Sequence, residues 1–125
     1  MITAYRPCKG LGGEGTVWEQ HRQYFGEQYP NQIINPRDQF IRDLKDAMHE
    51  WQTSGDLFIL GMDANEDVRN GDVADLMTSL AMHEAILHKH PHKSPPATYN
   101  RNYQRQPIDG LWITQRTGNT ARRIY

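Results

Sequence analysis

The chain has 125 residues with 14 Lys+Arg against 15 Asp+Glu, which is room for one domain and not two, and a global charge that demands no polyanionic partner. Hydrophobic residues make up 37% and mean hydropathy is -0.83, a thin apolar supply for a self-sufficient core, although 10% aromatic residues argue against outright disorder. No apolar run approaches the roughly 20 residues of a membrane span. A single cysteine, Cys8, excludes an internal disulfide and fits a reducing compartment, so the expectation is a soluble, intracellular protein, nucleus and cytoplasm undistinguished.

In chain order, Ile2-Thr3-Ala4-Tyr5 is a short β-prone run that stops at Pro7 and passes into a Gly-rich stretch. Thr16 to Phe25 places Val17, Gln20, His21 and Tyr24 at helical spacing, with Thr16 as N-cap and Glu19 three residues on. A longer helix opens at Asn35-Pro36, where Asn35 caps and Pro36 suits the first position. Its face is Phe40, Ile41, Leu44, Ala47, Met48 and Trp51, and Gly55 follows its end near Ser54. Leu57-Phe58-Ile59-Leu60 reads as a strand buried on both faces. Val73, Leu76, Met77 and Leu80 predict a second amphipathic helix capped by Asp72 and ending near Ala81. The three histidines and three prolines between His88 and Pro96 predict a loop, and Ile108 to Thr114 a closing strand. Residues 116–125 carry Arg116, Arg122 and Arg123 without an acid, which reads as a solvated end.

The segment Gly61-Met62-Asp63-Ala64-Asn65-Glu66-Asp67 lies where an apolar strand ends, the place where ligands gather in open α/β sheets. There a carboxylate can hold a metal or activate water while an amide two residues on grips a phosphate oxygen. The same D-x-N pattern also makes an Asx-rich turn that merely closes a strand. His88, His90 and His92 alternate as metal ligands on a strand would, but the interleaved prolines favour an exposed loop.

The order Tyr5-Arg6-Pro7 at a strand end, a long helix, a strand with Asp63-x-Asn65, then Thr98-Tyr99 and Ile108-Asp109 before an apolar strand resembles the endonuclease/exonuclease/phosphatase superfamily. Asn35-Pro36-Arg37 and Gly61 to Glu66 look more specifically like the endonuclease-like proteins of retroelements. The resemblance spans Ile2 to Thr114 but only the later part of the family domain. It implies an α/β fold of α+β sandwich type, present here in part: chiefly one β-sheet with flanking helices.

By position, the resemblance makes Tyr5 the phosphate-contacting tyrosine, Asp63 the aspartate that activates water and contacts metal, Asn65 the phosphate-positioning amide, and Asp109 the aspartate that orients the family's histidine. It implies Mg²⁺ or Mn²⁺ as cofactor and nucleic acid as the intact domain's partner, with self-association through exposed sheet edges. Three departures bear on activity. Met62 stands between Gly61 and Asp63 where the family has glycine directly before the aspartate. The metal-binding glutamate expected before Tyr5 has no counterpart, and residues 115–125 hold neither Asp nor His where the family closes on that pair. The expectation is a phosphodiesterase fragment, a nuclease, inactive alone. The alternatives are a silent remnant or binding module of the same fold, and an unrelated small α/β protein in which D-x-N is a turn.

Overall fold

A computed structural model describes residues 1–8, 15–91, 96–101 and 104–114. Its elements are β1 (Ile2–Tyr5), α1 (Val17–Gln28), α2 (Pro36–Thr53), β2 (Ile59–Asp63), α3 (Asp72–Ser79), β3 (Met82–Glu84), α4 (Ala85–Lys89), β4 (Tyr99–Arg101), β5 (Gln104–Gln106) and β6 (Asp109–Thr114). Four strands form a mixed sheet in the order β1-β2-β6-β3, with β1 parallel to β2 and both other pairings antiparallel. β4 and β5 form a separate antiparallel pair. Over the described residues this is a small mixed α/β protein with a four-stranded sheet and four helices, none of them long and apolar enough to cross a membrane.

The two long helices start as their sequences dictate. Thr16 accepts a hydrogen bond from the Glu19 amide at the head of α1, and Asn35 accepts from the Arg37 and Asp38 amides at the head of α2. Past α2, Gly55 adopts φ 77, the left-handed conformation that ends helices and that glycine adopts without Cβ strain. The apolar face of α2 behaves as its spacing predicts: Leu44 and Met48 are buried, while Phe40, Ile41 and Trp51 pack beside them. α1 forms where the spacing from Thr16 to Phe25 predicts it, but it buries no residue, and Val17 and Tyr24 are exposed. Trp18 and Phe25 are its half-buried aromatics, as the helix packs chiefly on α2 among the described residues.

Three further expectations need correction. The apolar run Leu57–Leu60 is not the strand: β2 starts at Ile59 and runs on to Asp63, and its burial alternates instead of being complete on both faces. Ile59 is 38% exposed beside fully buried Leu60, because the helices cover one face of the sheet only. Asp72 does not cap α3. Gly71 occupies the cap position with φ 122 and no side-chain bond, and the orphan Val73 amide is met by Glu66 Oε1 at 2.6 Å. The helix ends at Ser79, with Leu80 as C-cap, just short of Ala81. Finally, the loop expected from His88 begins as helix, since His88 and Lys89 close α4, where Glu84 accepts from the Leu87 amide. His92 lies outside the described residues.

The core is a single cluster on the helix side of the sheet. Leu44 and Met48 of α2 meet Leu60 and Met62 of β2, Val73, Leu76 and Met77 of α3, Met82 of β3 and Trp112 of β6. Trp51 closes its edge on Phe58, ring centroids 5.7 Å apart at 73°.

Candidate functional site

Side chains directly opposite in a ladder share a face, and Tyr5, Asp63 and Asp109 are direct partners across three strands. Tyr5 ends β1, Asp63 ends β2, and Asp109 begins antiparallel β6, so the three stand in one row at one end of the sheet. They lie on the face away from the helices: Tyr5 is 47% exposed and Asp109 is exposed. Asn65 follows two residues past Asp63. Four residues dispersed over the chain are therefore neighbours.

The row is held by backbone ties at each strand end. The Arg6 amide donates to the Asp63 carbonyl at 2.9 Å, extending the β1–β2 pairing past Tyr5. Across the other seam, the Ala64 amide donates to Ile108 and the Val68 amide to Pro107. Thr98 Oγ1 accepts from the amides of Ile108 and Asp109 at 2.9 and 3.2 Å, which fixes the chain as it enters β6.

Asp63-Ala64-Asn65 is an Asx turn: Asp63 Oδ1 accepts from the Asn65 amide at 3.2 Å, and Asn65 sits at φ 49, a conformation asparagine tolerates better than most residues. Asn65 Nδ2 donates to the Arg6 carbonyl at 2.6 Å. One amide hydrogen of Asn65 is thereby spent on β1, and the other hydrogen and Oδ1 are left for a ligand.

Met62 is buried in the core, so its side chain leaves the open face clear. The bare position on that face is Gly61, two residues before Asp63, whose Cβ would meet only Met1 and Leu111 at ordinary contact distances. The insertion of Met62 therefore puts no side chain beside Asp63.

Burial pushes the Asp63 carboxyl above its ordinary value, the turn hydrogen bond from Asn65 pulls it down, and the neighbouring Asp109 carboxylate pushes it up again. Two carboxylates facing one another in this way suit a divalent cation, and magnesium is commonly held by one or two carboxylates plus phosphate oxygens and water. Asp63 and Asp109 fit such a partial donor set. Among the described residues, no group of three or more His, Cys, Asp and Glu could hold a metal ion.

Below the row lies a charge network that the sequence reading missed. Arg6 is 1% exposed; its Nη1 faces Glu66 Oε2 at 2.9 Å and its Nη2 faces Asp72 Oδ2 at 3.3 Å. The Nη1 contact is an ion pair off the line of a hydrogen bond, and Arg6 Nε finds no acceptor among the described residues. Arg37, at the head of α2, donates from Nη1 to the Pro7 carbonyl at 2.7 Å and from Nη2 to the Asn65 carbonyl at 3.3 Å. Glu66 thus serves Arg6, the α3 amide and, at 3.9 Å, Arg37. The sequence signal was faint: a charged residue at a strand end, and an acid six positions before a helix whose cap residue, Gly71, has no side chain.

No family model, curated protein or solved structure matches the chain.

Proposed function

We propose that the chain carries the later part of a magnesium-dependent phosphodiesterase domain resembling the endonuclease/exonuclease/phosphatase superfamily, with nucleic acid as the intact domain's substrate. The observation that supports it is the single row of Tyr5, Asp63 and Asp109 on the open end of the sheet, with Asn65 beside it.

In this reading a phosphodiester lies across the row. The Tyr5 hydroxyl donates to a nonbridging oxygen as charge builds there, and the free hydrogen of the Asn65 amide holds the phosphate in place. Asp63 takes the proton of the attacking water. A bound Mg²⁺ would neutralise phosphate charge, and Asp63 and Asp109 are the residues that would hold it. The nearly neutral global charge leaves nucleic-acid contact to local groups, and β1 and β3, the outer strands of the four-stranded sheet among the described residues, suit association with further sheet.

This chain by itself turns over slowly. The Tyr5 hydroxyl and the Asn65 amide are neutral donors that leave the phosphate charge poorly met, and each electrostatic group a site lacks costs about 10²–10³ in rate. A specific observation also favours a second reading, a silent or binding remnant of the same fold: the Asx turn and the bond from Asn65 to the Arg6 carbonyl account for both residues structurally.

Mn²⁺ titration followed by NMR tests the site. Paramagnetic broadening centred on Tyr5, Asp63, Asn65 and Asp109, abolished in Asp63→Ala, is expected; no localised broadening, or broadening indifferent to that substitution, removes the metal-dependent reading. Plasmid nicking with Mg²⁺ separates the two versions. Robust cleavage abolished by Asp63→Ala overturns slow turnover, and equal background cleavage by both proteins is the expected result.

A further inference from the structure

Arg37 touches neither Tyr5 nor Asp63 through its side chain, yet its guanidinium reaches both segments that carry them. Nη1 donates to the carbonyl of Pro7, two residues beyond Tyr5, at 2.7 Å. Nη2 donates to the carbonyl of Asn65, two residues beyond Asp63, at 3.3 Å. The side chain is 15% exposed, so these bonds form largely out of water, where a lost donor is costly to replace. A guanidinium is a rigid planar fork, and two acceptors fixed on one fork are fixed relative to each other.

We infer that Arg37 is the positioning residue of the Tyr5–Asp63–Asn65 row, acting as a two-pronged clamp between the exits of β1 and β2. The inference rests on the phosphodiesterase reading for its importance to function, and on geometry alone for its existence. The β1–β2 ladder by itself sets the register only as far as Arg6–Asp63, where the last inter-strand backbone bond lies. Beyond it the chains diverge into separate loops, and Asn65 takes a left-handed conformation that costs energy unless held. What holds it are its amide bond to Asp63, its side-chain bond to the Arg6 carbonyl and the Arg37 prong on its own carbonyl.

Arg37 is itself anchored. Its amide is held by the Asn35 cap, its carbonyl lies 3.5 Å from Arg6 Nη2, and Pro36 before it is buried. The fork thus stands on the rigid head of an 18-residue helix. Its own ionisation is displaced downward by burial and by Arg6, which Glu66 opposes. Glu66 then acts as the counter-charge that keeps two neighbouring guanidinium groups at one end of the sheet.

The test is amide hydrogen exchange by NMR on the full chain, comparing wild type with Arg37→Lys and Arg37→Ala. A lysine keeps the charge but presents one ammonium, which cannot satisfy two carbonyls with fork geometry. The clamp predicts that Asn65 amide exchange accelerates about tenfold or more in both variants, the change expected when about 1.4 kcal/mol of local ordering is lost. Leu60 and Trp112 amides in the core should change less than about twofold. Uniform acceleration at all four positions Leu60, Met62, Asn65 and Trp112, or failure of both variants to fold, overturns the inference in favour of a general stabilising ion. Full restoration of Asn65 protection by lysine overturns it too, because charge and not the fork would then suffice. None of these outcomes depends on turnover, so a failed nicking assay and a failed clamp are told apart.

Discussion

The two faces of the one sheet are made by the same three strands and obey opposite rules. On the helix side, Leu60, Met62 and Trp112 are at most 4% exposed and touch Met48, Val73 and Met77. On the other side, Tyr5, Asp63 and Asp109 line up at one end, Gly61 and Leu111 sit in the middle, and Ile59 is left in solvent. Because side chains alternate, moving one residue along β2 takes the chain from the buried core to the face away from the helices. Stability lives on one face, and the candidate chemistry on the other.

Breaking the covered face should have the largest effect. Trp112→Ala removes the biggest fully buried side chain and should cost about 3–5 kcal/mol, read as a shift in denaturant midpoint. A loss under about 1 kcal/mol would mean that the helix face is not the core. Glu66→Ala, at the seam between the faces, strands Arg6 and uncaps Val73. Because Glu66 is partly exposed, the loss should sit at the low end for a broken buried pair, about 3 kcal/mol, in the same measurement. Gly110→Ala puts a Cβ into the space of the Trp112 ring, which must move, for about 1–3 kcal/mol and a change in Trp fluorescence.

Much of the covered face was legible in the sequence, since α2 writes its apolar stripe and both of its ends in local residues. The start of α1 was legible in Thr16 and Glu19, whereas its lack of burial was not, because helical spacing says which residues share a side but not whether anything lies against it. β2 was displaced by two residues because Leu57 and Phe58 are as apolar as strand residues without pairing as a strand. β3, α4 and the β4–β5 hairpin were missed, being 3 to 5 residues each and too short to show a period. The row of Tyr5, Asp63 and Asp109 came from motif order, and local pattern alone carries no information on strand register. The Arg6, Arg37 and Glu66 network was out of reach for the same reason: its contacts with one another span up to 60 positions along the chain, and isolated charges carry no period.

The open face should respond weakly and through charge. Asp63 and Asp109 are direct partners with like charge, and Asp63 titrates above its ordinary value through burial first, with Asp109 adding to it. A carboxyl raised in the folded state binds its proton more tightly there than in the unfolded chain. Its contribution to stability is complete below the unfolded value of 3.8 and is lost as pH rises through the folded value, so at neutral pH the ionised pair opposes folding. Asp109→Asn removes one charge of that pair. Asp63 should then titrate lower, and at pH 7 the variant should be more stable by a few tenths of a kcal/mol, the scale of like charges facing across strands. The gain should shrink as salt screens the pair, and shrink again in acid as Asp63 takes up its proton. Urea denaturation at pH 7 and pH 3, at low and high salt, measures all of this. A variant less stable than wild type at pH 7 and low salt would mean that the Asp109 carboxylate is bound to a cation or a donor rather than repelled by Asp63, and would move the open face from a bare pair of acids to an occupied site.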